Sequence, residues 1–207
     1  MYKVLMTGGN GNLGKEMRKH LAWDVTAPTM EEMDITRPET YIENTFDMVI
    51  HCAAYIDLVK AEGEDKMKCY MTNVMATKWL AKFYKDSKFV YISSEYASNP
   101  VNWYSWTKRW GEDMVKGYKN HLIVRTSFKY RPFKHDKACV DQWTCADYID
   151  VIAPAIVRKL DRKGLVWVGT ERKTTYELAK QTKSDVEPCF VDDIKTVALP
   201  KDYDTSS

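Results

Sequence analysis

Long hydrophobic runs are missing from this sequence of 207 residues. No apolar stretch approaches the roughly 18 residues that a helix needs to cross a bilayer, and the N-terminus does not resemble a secretory signal. A dominant charge is missing as well, because 31 basic side chains are interspersed with 29 acidic ones, which argues against a broad basic face for nucleic acid. We therefore expect a cytoplasmic protein that has neither a membrane nor a nucleic acid as a partner.

Closely spaced cysteine pairs are also absent. The five cysteines are odd in number and widely spaced, and none forms a C-x-x-C motif of the kind that holds zinc or exchanges disulfides. We expect reduced thiols and no metal site. Hydrophobic residues make up 44% of the chain and charged residues 29%, which is typical of a globular protein of one domain.

Predicted strands and helices alternate along the first 125 residues. Short apolar runs predict strands, and apolar residues at helical spacing predict helices between them. This order predicts an α/β fold of the Rossmann type with a doubly wound parallel sheet. The strands are predicted at residues 4–7, 23–26, 48–51, 89–93 and 121–125, and the main helices at 12–21, 66–84 and 104–116.

The alternation is looser after Arg125, although no linker separates this part of the chain. The pattern predicts a helix at residues 146–160, a strand at 165–168 and a second helix at 174–181. Residues 201–207 are expected to form a polar tail or the edge of a lid.

A glycine-rich turn follows the first predicted strand. The segment Thr7-Gly8-Gly9-Asn10-Gly11-Asn12-Leu13-Gly14 fits G-x-x-G-x-x-G from Gly8 and G-x-G-x-x-G from Gly9. One glycine permits the tight turn, Gly11 lets the backbone approach a pyrophosphate, and Gly14 lets the next helix pack closely on the sheet. The strand before the turn and the helix after it favour dinucleotide binding over a glycine-rich hairpin.

The choice between NAD and NADP stays open. An acid after the second strand would accept hydrogen bonds from the ribose hydroxyls, whereas an arginine would favour a 2′-phosphate. The segment there is Val25-Thr26-Ala27-Pro28-Thr29, followed by Glu31, Glu32 and Asp34, and neither signal is plain. The expected cofactor is therefore NADP or NAD.

A tyrosine and a lysine four residues apart share a helix face, and such a pair suits the reduction of a ketone. The tyrosine supplies a proton, and a lysine ammonium nearby lowers its pKa from about 10. The spacing occurs four times, at Tyr84/Lys88, Tyr104/Lys108, Tyr130/Lys134 and Tyr176/Lys180. Tyr104/Lys108 is favoured because it follows a strand that ends in Ser93-Ser94, whereas the other three pairs are interpreted as structural.

Further short motifs follow in order along the chain. They are Met33-Asp34-Ile35-Thr36, His51-Cys52-Ala53-Ala54-Tyr55, Thr72-Asn73-Val74, Tyr91-Ile92-Ser93-Ser94-Glu95-Tyr96, Tyr104-Ser105-Trp106-Thr107-Lys108 and Val124-Arg125-Thr126-Ser127-Phe128. Together with the glycine-rich turn, they resemble the extended short-chain dehydrogenase/reductase family, most closely its dTDP-4-dehydrorhamnose reductase branch of nucleotide-sugar enzymes.

The resemblance implies a role for each motif. Ser94 hydrogen-bonds the substrate carbonyl, Tyr104 protonates its oxygen as hydride arrives, and Lys108 holds the nicotinamide ribose and tunes Tyr104. The implied cofactor-binding residues are Gly8, Asn10, Gly11, Asn12, Leu13, Gly14, Asp34, Ile35, Ala53, Ala54, Tyr55, Asn73, Tyr104 and Lys108. The expected substrate-binding residues are Ser94, Glu95, which takes the place of the branch's usual aspartate, Phe128 and Trp143, the two aromatic rings serving either to stack on the ligand or to pack.

The function implied is an NAD(P)-dependent reductase of a nucleotide-activated 4-keto-6-deoxy sugar, working as a homodimer through the helices at 66–84 and 104–116. A nucleotide-sugar epimerase or dehydratase and a non-catalytic NAD(P)-binding regulatory subunit remain as alternatives. Ser94 and Tyr104 are only ten residues apart, and about 80 residues follow Arg125, fewer than in the family's reductases. We therefore expect one domain over residues 1–207, in which 129–207 contribute a small substrate-side cap.

Overall fold

The computed structural model describes residues 2–203, which form strands and helices in the predicted alternation. In chain order the strands are β1 (Lys3–Thr7), β2 (Asp24–Thr26), β3 (Met48–His51), β4 (Lys88–Ile92), β5 (His121–Thr126), β6 (Phe128–Lys129), β7 (Lys137–Cys139), β8 (Trp143–Thr144), β9 (Asp147–Tyr148), β10 (Gly164–Val168), β11 (Lys173–Thr174) and β12 (Glu187–Cys189). The α-helices are α1 (Asn12–Arg18), α2 (Leu58–Glu62), α3 (Lys66–Tyr70), α4 (Ala76–Phe83), α5 (Trp103–Lys116), α6 (Ile149–Val157) and α7 (Thr175–Lys180).

Six of these strands form a parallel sheet in the order β10-β5-β4-β3-β1-β2. The order reverses between β1 and β3, since the chain runs outward from β1 to one edge and then from β3 to the other. The central strands β3 and β4 are buried along their whole length, as expected for a parallel sheet covered on both faces. The predicted Rossmann-type fold is therefore confirmed.

Alternate residues of the strands point into two cores, one on each face of the sheet. Val4 and Met6 pack with Met17 of α1 and Ile152 of α6. Leu5 points the opposite way and packs in the core that contains Leu80 of α4 and Val115 of α5. The period of two along β1 thus places α1 and α6 on one face and α4 and α5 on the other.

The five strands predicted before Arg125 are confirmed, and the strand predicted at 165–168 becomes the sixth of the sheet, β10. The helix predicted at 66–84 is continuous, but it contains a π-helical turn over Met71–Met75 between α3 and α4. The helix predicted at 146–160 is shorter, because Asp147 and Tyr148 pair with β6 as a strand before α6 begins.

The C-terminal third of the chain adds three small strand pairs beside the main sheet, namely β6 with β9, β7 with β12 and β8 with β11. The predicted tail over 201–207 is anchored where it is described, because the Lys201 carbonyl accepts a hydrogen bond from the Trp143 backbone N–H at 2.8 Å. Tyr203 is buried and stacks on Tyr96 at 5.4 Å between ring centroids, whereas residues 204–207 lie outside the described residues. Within residues 2–203 no helix has both the length and the apolar character needed to span a membrane.

Candidate functional site

A cleft of about 930 Å³ lies at the carboxyl ends of β1, β3, β4 and β5. It straddles the point between β1 and β3 where the strand order reverses, which is where open parallel sheets bind ligands. Its volume is at the upper end of the range for small-molecule and cofactor sites. The predicted site residues that line it are Gly8, Asn10, Gly11, Asn12, Leu13, Gly14, Asp34, Ile35, Ala53, Ala54, Ser94, Tyr104, Lys108 and Phe128.

The glycines of the turn after β1 serve different purposes. Gly8 has φ +66°, and a Cβ there would lie 2.6 Å from the Ala53 backbone nitrogen, so both its conformation and its surroundings require glycine. A Cβ on Gly14 would lie 2.5 Å from the Gly8 carbonyl oxygen, which shows how closely α1 packs under the turn.

Gly11 differs because it faces the cleft. A Cβ there would meet, within 4 Å, only the Gly8 carbonyl oxygen, at 3.1 Å. Close packing within the protein therefore requires glycine less strictly here than at Gly8 or Gly14. The bare backbone leaves room for a group in the cleft to approach the turn, which fits the pyrophosphate of a dinucleotide.

The end of the cleft beside β2 is tied to the glycine-rich turn. The Asn10 side-chain amide donates a hydrogen bond to the Ala27 carbonyl at 2.9 Å. Asp34 and Ile35 line this end, as expected, but the Asp34 carboxylate accepts hydrogen bonds from the backbone N–H and the hydroxyl of Thr36 at 2.9 and 2.8 Å. That carboxylate therefore stabilises its own turn.

Ser94 and Tyr104 meet at the other end of the cleft. Ser94 follows β4, and Tyr104 lies in the first turn of α5, whose start is fixed by reciprocal hydrogen bonds between Asn102 and Ser105 at 2.8 and 3.0 Å. Ser94 and Tyr104 both line the cleft here, and the Ser94 hydroxyl accepts a hydrogen bond from the Tyr96 backbone N–H at 3.2 Å. Burial raises the pKa of Tyr104 above its usual 10, against the expectation that a nearby lysine would lower it, and the Ser94 hydroxyl opposes that rise. The phenol is therefore protonated at neutral pH.

Lys108 lies one helical turn beyond Tyr104 and is only 2% exposed. Its amine donates a hydrogen bond to the Ile92 carbonyl at 2.7 Å and lies 4.2 Å from the centre of the Tyr91 ring. Burial lowers the pKa of Lys108 to about 7, while the nearby Glu112 carboxylate acts to raise it. Desolvation thus brings this amine close to neutrality at physiological pH.

A buried ion pair holds α5 against the sheet below these residues. The Glu112 carboxylate accepts two hydrogen bonds from the Arg125 guanidinium, at 2.8 and 2.9 Å, and a third from the Ser93 hydroxyl at 2.7 Å. Both charged side chains are almost fully buried. Because Ser93 precedes Ser94 and Glu112 lies one turn after Lys108, the pair connects the helix that carries Tyr104 to β4 and β5.

Two of the predicted cofactor-binding residues lie behind the cleft wall instead of lining it. The Asn73 side chain accepts a hydrogen bond from the Tyr55 backbone N–H at 2.8 Å and donates to the Tyr55 carbonyl and the Thr107 hydroxyl at 3.1 and 3.0 Å. The Tyr55 hydroxyl donates to Asp65 at 2.7 Å. Asn73 therefore connects the loop after β3 to α5.

Glu95 and Trp143, two of the predicted substrate-binding residues, also lie outside the lining. Glu95 is buried and accepts a hydrogen bond from the Thr144 hydroxyl at 2.7 Å, and burial raises the pKa of its carboxyl. The Trp143 ring lies 4.1 Å from the Arg172 guanidinium. Glu95 thus holds the C-terminal third of the chain against the loop that contains Ser94, whereas Trp143 packs within the C-terminal third.

Tyr130 lines the cleft, although its sequence pattern was interpreted as structural. Its hydroxyl accepts a hydrogen bond from the Asn12 side-chain amide at 3.0 Å, and the Lys134 amine lies 3.9 Å from its ring centre. Asn12 and Tyr130 are 118 residues apart in sequence, so no local pattern could have revealed their contact. Their hydrogen bond joins the C-terminal third to the glycine-rich turn across the cleft.

The parallel sheet, the glycine-rich turn and the cleft at the reversal of strand order define a Rossmann-type α/β protein. The family profile of the RmlD substrate binding domain matches residues 2–140, which is more than half of the chain. The chain therefore belongs to the RmlD substrate binding domain family, in agreement with the resemblance read from its motifs.

Among curated proteins, the chain is similar to dTDP-4-dehydrorhamnose reductase of Mycolicibacterium smegmatis, with 30% identity over 153 residues that cover 62% of this chain and 46% of the relative. It is also similar to the spore coat polysaccharide biosynthesis protein SpsK of Bacillus subtilis, with 28% identity over 155 residues, covering 63% and 54%. The chain spans about half the length of the curated relatives that it matches.

Solved structures match over most of their length. A dTDP-4-dehydrorhamnose reductase from Clostridium acetobutylicum is 25% identical, with a TM-score of 0.83 and coverage of 96% of this chain and 88% of that one. A dTDP-4-dehydrorhamnose reductase from Bacillus anthracis, solved in complex with NADP, is 24% identical, with a TM-score of 0.84 and coverage of 97% and 89%. The second likeness, below a quarter identity, shows the shared fold.

Proposed function

We propose that the chain is an NAD(P)-dependent oxidoreductase that reduces a nucleotide-activated 4-keto-6-deoxy sugar. The observation that carries the proposal is that Ser94, Tyr104 and Lys108 line one cleft whose opposite end is formed by a glycine-rich turn. Related proteins named dTDP-4-dehydrorhamnose reductase support the substrate class.

The residues of the cleft fit a nicotinamide dinucleotide. Gly11 leaves its backbone open to a pyrophosphate, Ile35 offers an apolar side chain to the adenine, and Ala53 and Ala54 leave space beside Tyr104. The buried amine of Lys108 is within the same lining and can donate to a ribose hydroxyl. When bound, the reduced nicotinamide supplies a hydride to the carbonyl carbon of the sugar.

The protein's own residues manage the proton. The Ser94 hydroxyl donates a hydrogen bond to the ketone oxygen, and Tyr104 transfers its phenolic proton to that oxygen as the carbon is reduced, leaving a phenolate. Lys108 in its charged form stabilises that phenolate, which then regains a proton from solvent. The raised pKa of Tyr104 keeps its proton in place before the reaction.

We also propose that residues 129–207 provide a small cap on the substrate side within a single domain. Tyr130 of this segment and Phe128 just before it line the cleft and can contact the sugar or its nucleotide. Glu95 and Trp143 act indirectly: Glu95 holds the C-terminal third against the loop of Ser94, and Trp143 anchors residue 201 within the C-terminal third. In this arrangement the cap reaches the glycine-rich turn through the hydrogen bond between Tyr130 and Asn12.

A cytoplasmic homodimer completes the proposal. Met67 on α3 and Trp106 on α5 are large apolar side chains with 68% and 43% of their surface exposed, and they lie on the two helices expected to pair. All five cysteines are free thiols, as is usual in a reducing compartment. Sedimentation showing only a 24.1 kDa species at micromolar concentration would contradict the dimer.

The test is turnover of dTDP-4-keto-6-deoxyhexose with NADPH or NADH, followed by loss of absorbance of the reduced cofactor. Tyr104→Phe removes the proton donor, so we expect kcat to fall by about 10²-fold to 10⁴-fold while the Kd of the cofactor stays within about 2-fold. Tyr176→Phe is the matched control, because Tyr176 also precedes a lysine by four residues but lies outside the cleft lining. Its kcat should equal that of the wild type.

Other outcomes would redirect the assignment. Conversion of the sugar without net consumption of cofactor would indicate an epimerase or a dehydratase. Tight cofactor binding with no conversion of any keto sugar, in wild type and Tyr104→Phe alike, would indicate a non-catalytic regulatory subunit.

A further inference from the structure

Arg18 places a positive charge beside Asn10, which lines the end of the cleft near β2. It lies in the last turn of α1 and is exposed, and its guanidinium donates a hydrogen bond to the Asn10 side-chain oxygen at 3.3 Å. Asn10 lines the cleft and donates in turn to the Ala27 carbonyl, just beyond β2. A chain of hydrogen bonds thus runs from Arg18 to the position where Rossmann-type proteins contact the adenosine ribose.

The residues directly after β2 contribute no carboxylate to this position. They are Ala27, Pro28 and Thr29, of which Pro28 and Thr29 line the cleft. The Glu32 carboxylate is bound to the Thr29 backbone N–H at 2.8 Å, so that it caps its own turn. Asp34 lines the same end of the cleft, but its carboxylate is bound by the backbone N–H and the hydroxyl of Thr36. A site that prefers NAD places a carboxylate here to accept hydrogen bonds from the ribose hydroxyls, whereas such a carboxylate would repel a phosphate.

The present contact of Arg18 leaves its guanidinium available to bind a phosphate. Its bond to Asn10 involves a neutral amide and one of the five N–H donors of the guanidinium. The neighbouring Lys19 is engaged differently, because its amine forms an ion pair with Glu16 at 2.6 Å. A guanidinium held in place by a neutral partner keeps its charge available for a phosphate, which it can bind through two parallel hydrogen bonds.

We propose that Arg18, positioned by Asn10, binds the 2′-phosphate of the adenosine ribose and makes the chain prefer NADP(H) over NAD(H). This inference rests on the dinucleotide binding of the proposed function and adds the feature that decides between the two cofactors. Thr29 and the Asn10 amide complete the surroundings of the phosphate with neutral polar groups.

The test is a fluorescence titration of the wild type, Arg18→Gln and Lys19→Gln with NADPH and with NADH. The wild type should bind NADPH at least about 10-fold more tightly, because a charge-assisted hydrogen bond contributes roughly 10-fold to 100-fold. Arg18→Gln should lose that factor for NADPH and leave the Kd of NADH within about 2-fold. Lys19→Gln removes the same charge one residue away and should bind both cofactors as the wild type does.

A second measurement isolates the adenosine end from the nicotinamide. Calorimetry with adenosine 2′,5′-bisphosphate and with adenosine 5′-monophosphate should show tighter binding of the bisphosphate to wild type and equal binding of both to Arg18→Gln. Thr29→Glu, which adds a carboxylate after β2, should weaken NADPH and spare NADH. Both readouts are independent of turnover.

The outcomes separate this inference from the proposed function. If the wild type binds neither NADPH nor NADH, the dinucleotide site itself fails and the inference falls with it. If the wild type binds both equally, or if Arg18→Gln weakens both by the same factor, the site stands and the role of Arg18 is refuted.

Discussion

At the scale of single residues, Gly11 and Gly14 distinguish a requirement of the ligand from a requirement of the fold. A Cβ on Gly14 would lie 2.5 Å from the Gly8 carbonyl oxygen, a contact that only a backbone shift can relieve. At Gly11 the nearest atom is the same oxygen at 3.1 Å, and the rest of the space belongs to the cleft. The two alanine variants should therefore fail in different ways.

Gly14→Ala should lower the free energy of unfolding by about 1–3 kcal/mol, the usual effect of overpacking. Gly11→Ala should change it by less than about 1 kcal/mol, yet weaken NADPH binding by roughly 10-fold or more, because the methyl group occupies the space of the pyrophosphate. Urea unfolding and cofactor titration of both variants measure the two quantities. Equal loss of stability in both variants, with cofactor binding intact in Gly11→Ala, would contradict this interpretation.

At the scale of elements, the pair of Glu112 and Arg125 fixes the helix that carries Tyr104 and Lys108. Glu112→Gln leaves the Arg125 guanidinium buried without its carboxylate, and breaking a buried pair in this way costs about 3–5 kcal/mol. We expect a loss of that order in the free energy of unfolding, measured by urea denaturation. Arg125→Met should lower the free energy of unfolding by a comparable amount, since it leaves the Glu112 carboxylate buried without the guanidinium.

The double variant Glu112→Gln/Arg125→Met completes a thermodynamic cycle. Because both variants remove the same interaction, the double loss should be smaller than the sum of the single losses by at least about 1 kcal/mol. Losses that add to within about 0.5 kcal/mol would mean that the two side chains stabilise the protein independently.

The elements of the sheet could be predicted because their signal is local. β3 and β4 are short apolar runs buried on both faces, and each run by itself is enough to indicate a strand. The start of α6 could not be predicted in this way, because Asp147 and Tyr148 become a strand only by pairing with Phe128 and Lys129, some twenty residues earlier. Pairing partners of such short strands are chosen by the tertiary structure.

The same distinction applies to the candidate site. Gly8, Gly11, Tyr104 and Lys108 belong to short motifs with fixed spacing, and all four line the cleft. Contacts between distant segments, such as the stacking of Tyr203 on Tyr96, could not be predicted from the sequence. A sequence motif records which side chains follow a strand, whereas the contacts across the cleft depend on how the C-terminal third folds back.

At the scale of the whole molecule, His51 connects three elements in the middle of the fold. Its ring nitrogens hydrogen-bond the hydroxyl of Thr7 on β1 at 2.7 Å and that of Thr77 on α4 at 3.0 Å, while His51 itself ends β3. Burial lowers the pKa of His51 to about 3, and the nearby Lys108 charge acts in the same direction. The native protein therefore keeps this ring neutral where an unfolded chain would protonate it.

The sign of the effect on stability follows from this difference. Between pH 6.5 and about 3 the unfolded chain binds a proton at His51 that the native protein does not. The contribution of His51 to the free energy of unfolding is therefore complete above pH 6.5 and is lost as the pH falls. The loss between pH 7 and pH 5 should be about 2 kcal/mol in the wild type. His51→Gln should lack this part of the pH dependence, as measured by urea unfolding at pH 5, 6 and 7. His20→Gln alters an exposed histidine beside Glu16, and its free energy of unfolding should follow that of the wild type at all three pH values. If the free energy of unfolding of His51→Gln changed with pH in parallel with the wild type, His51 would not be the group that makes the fold sensitive to acid.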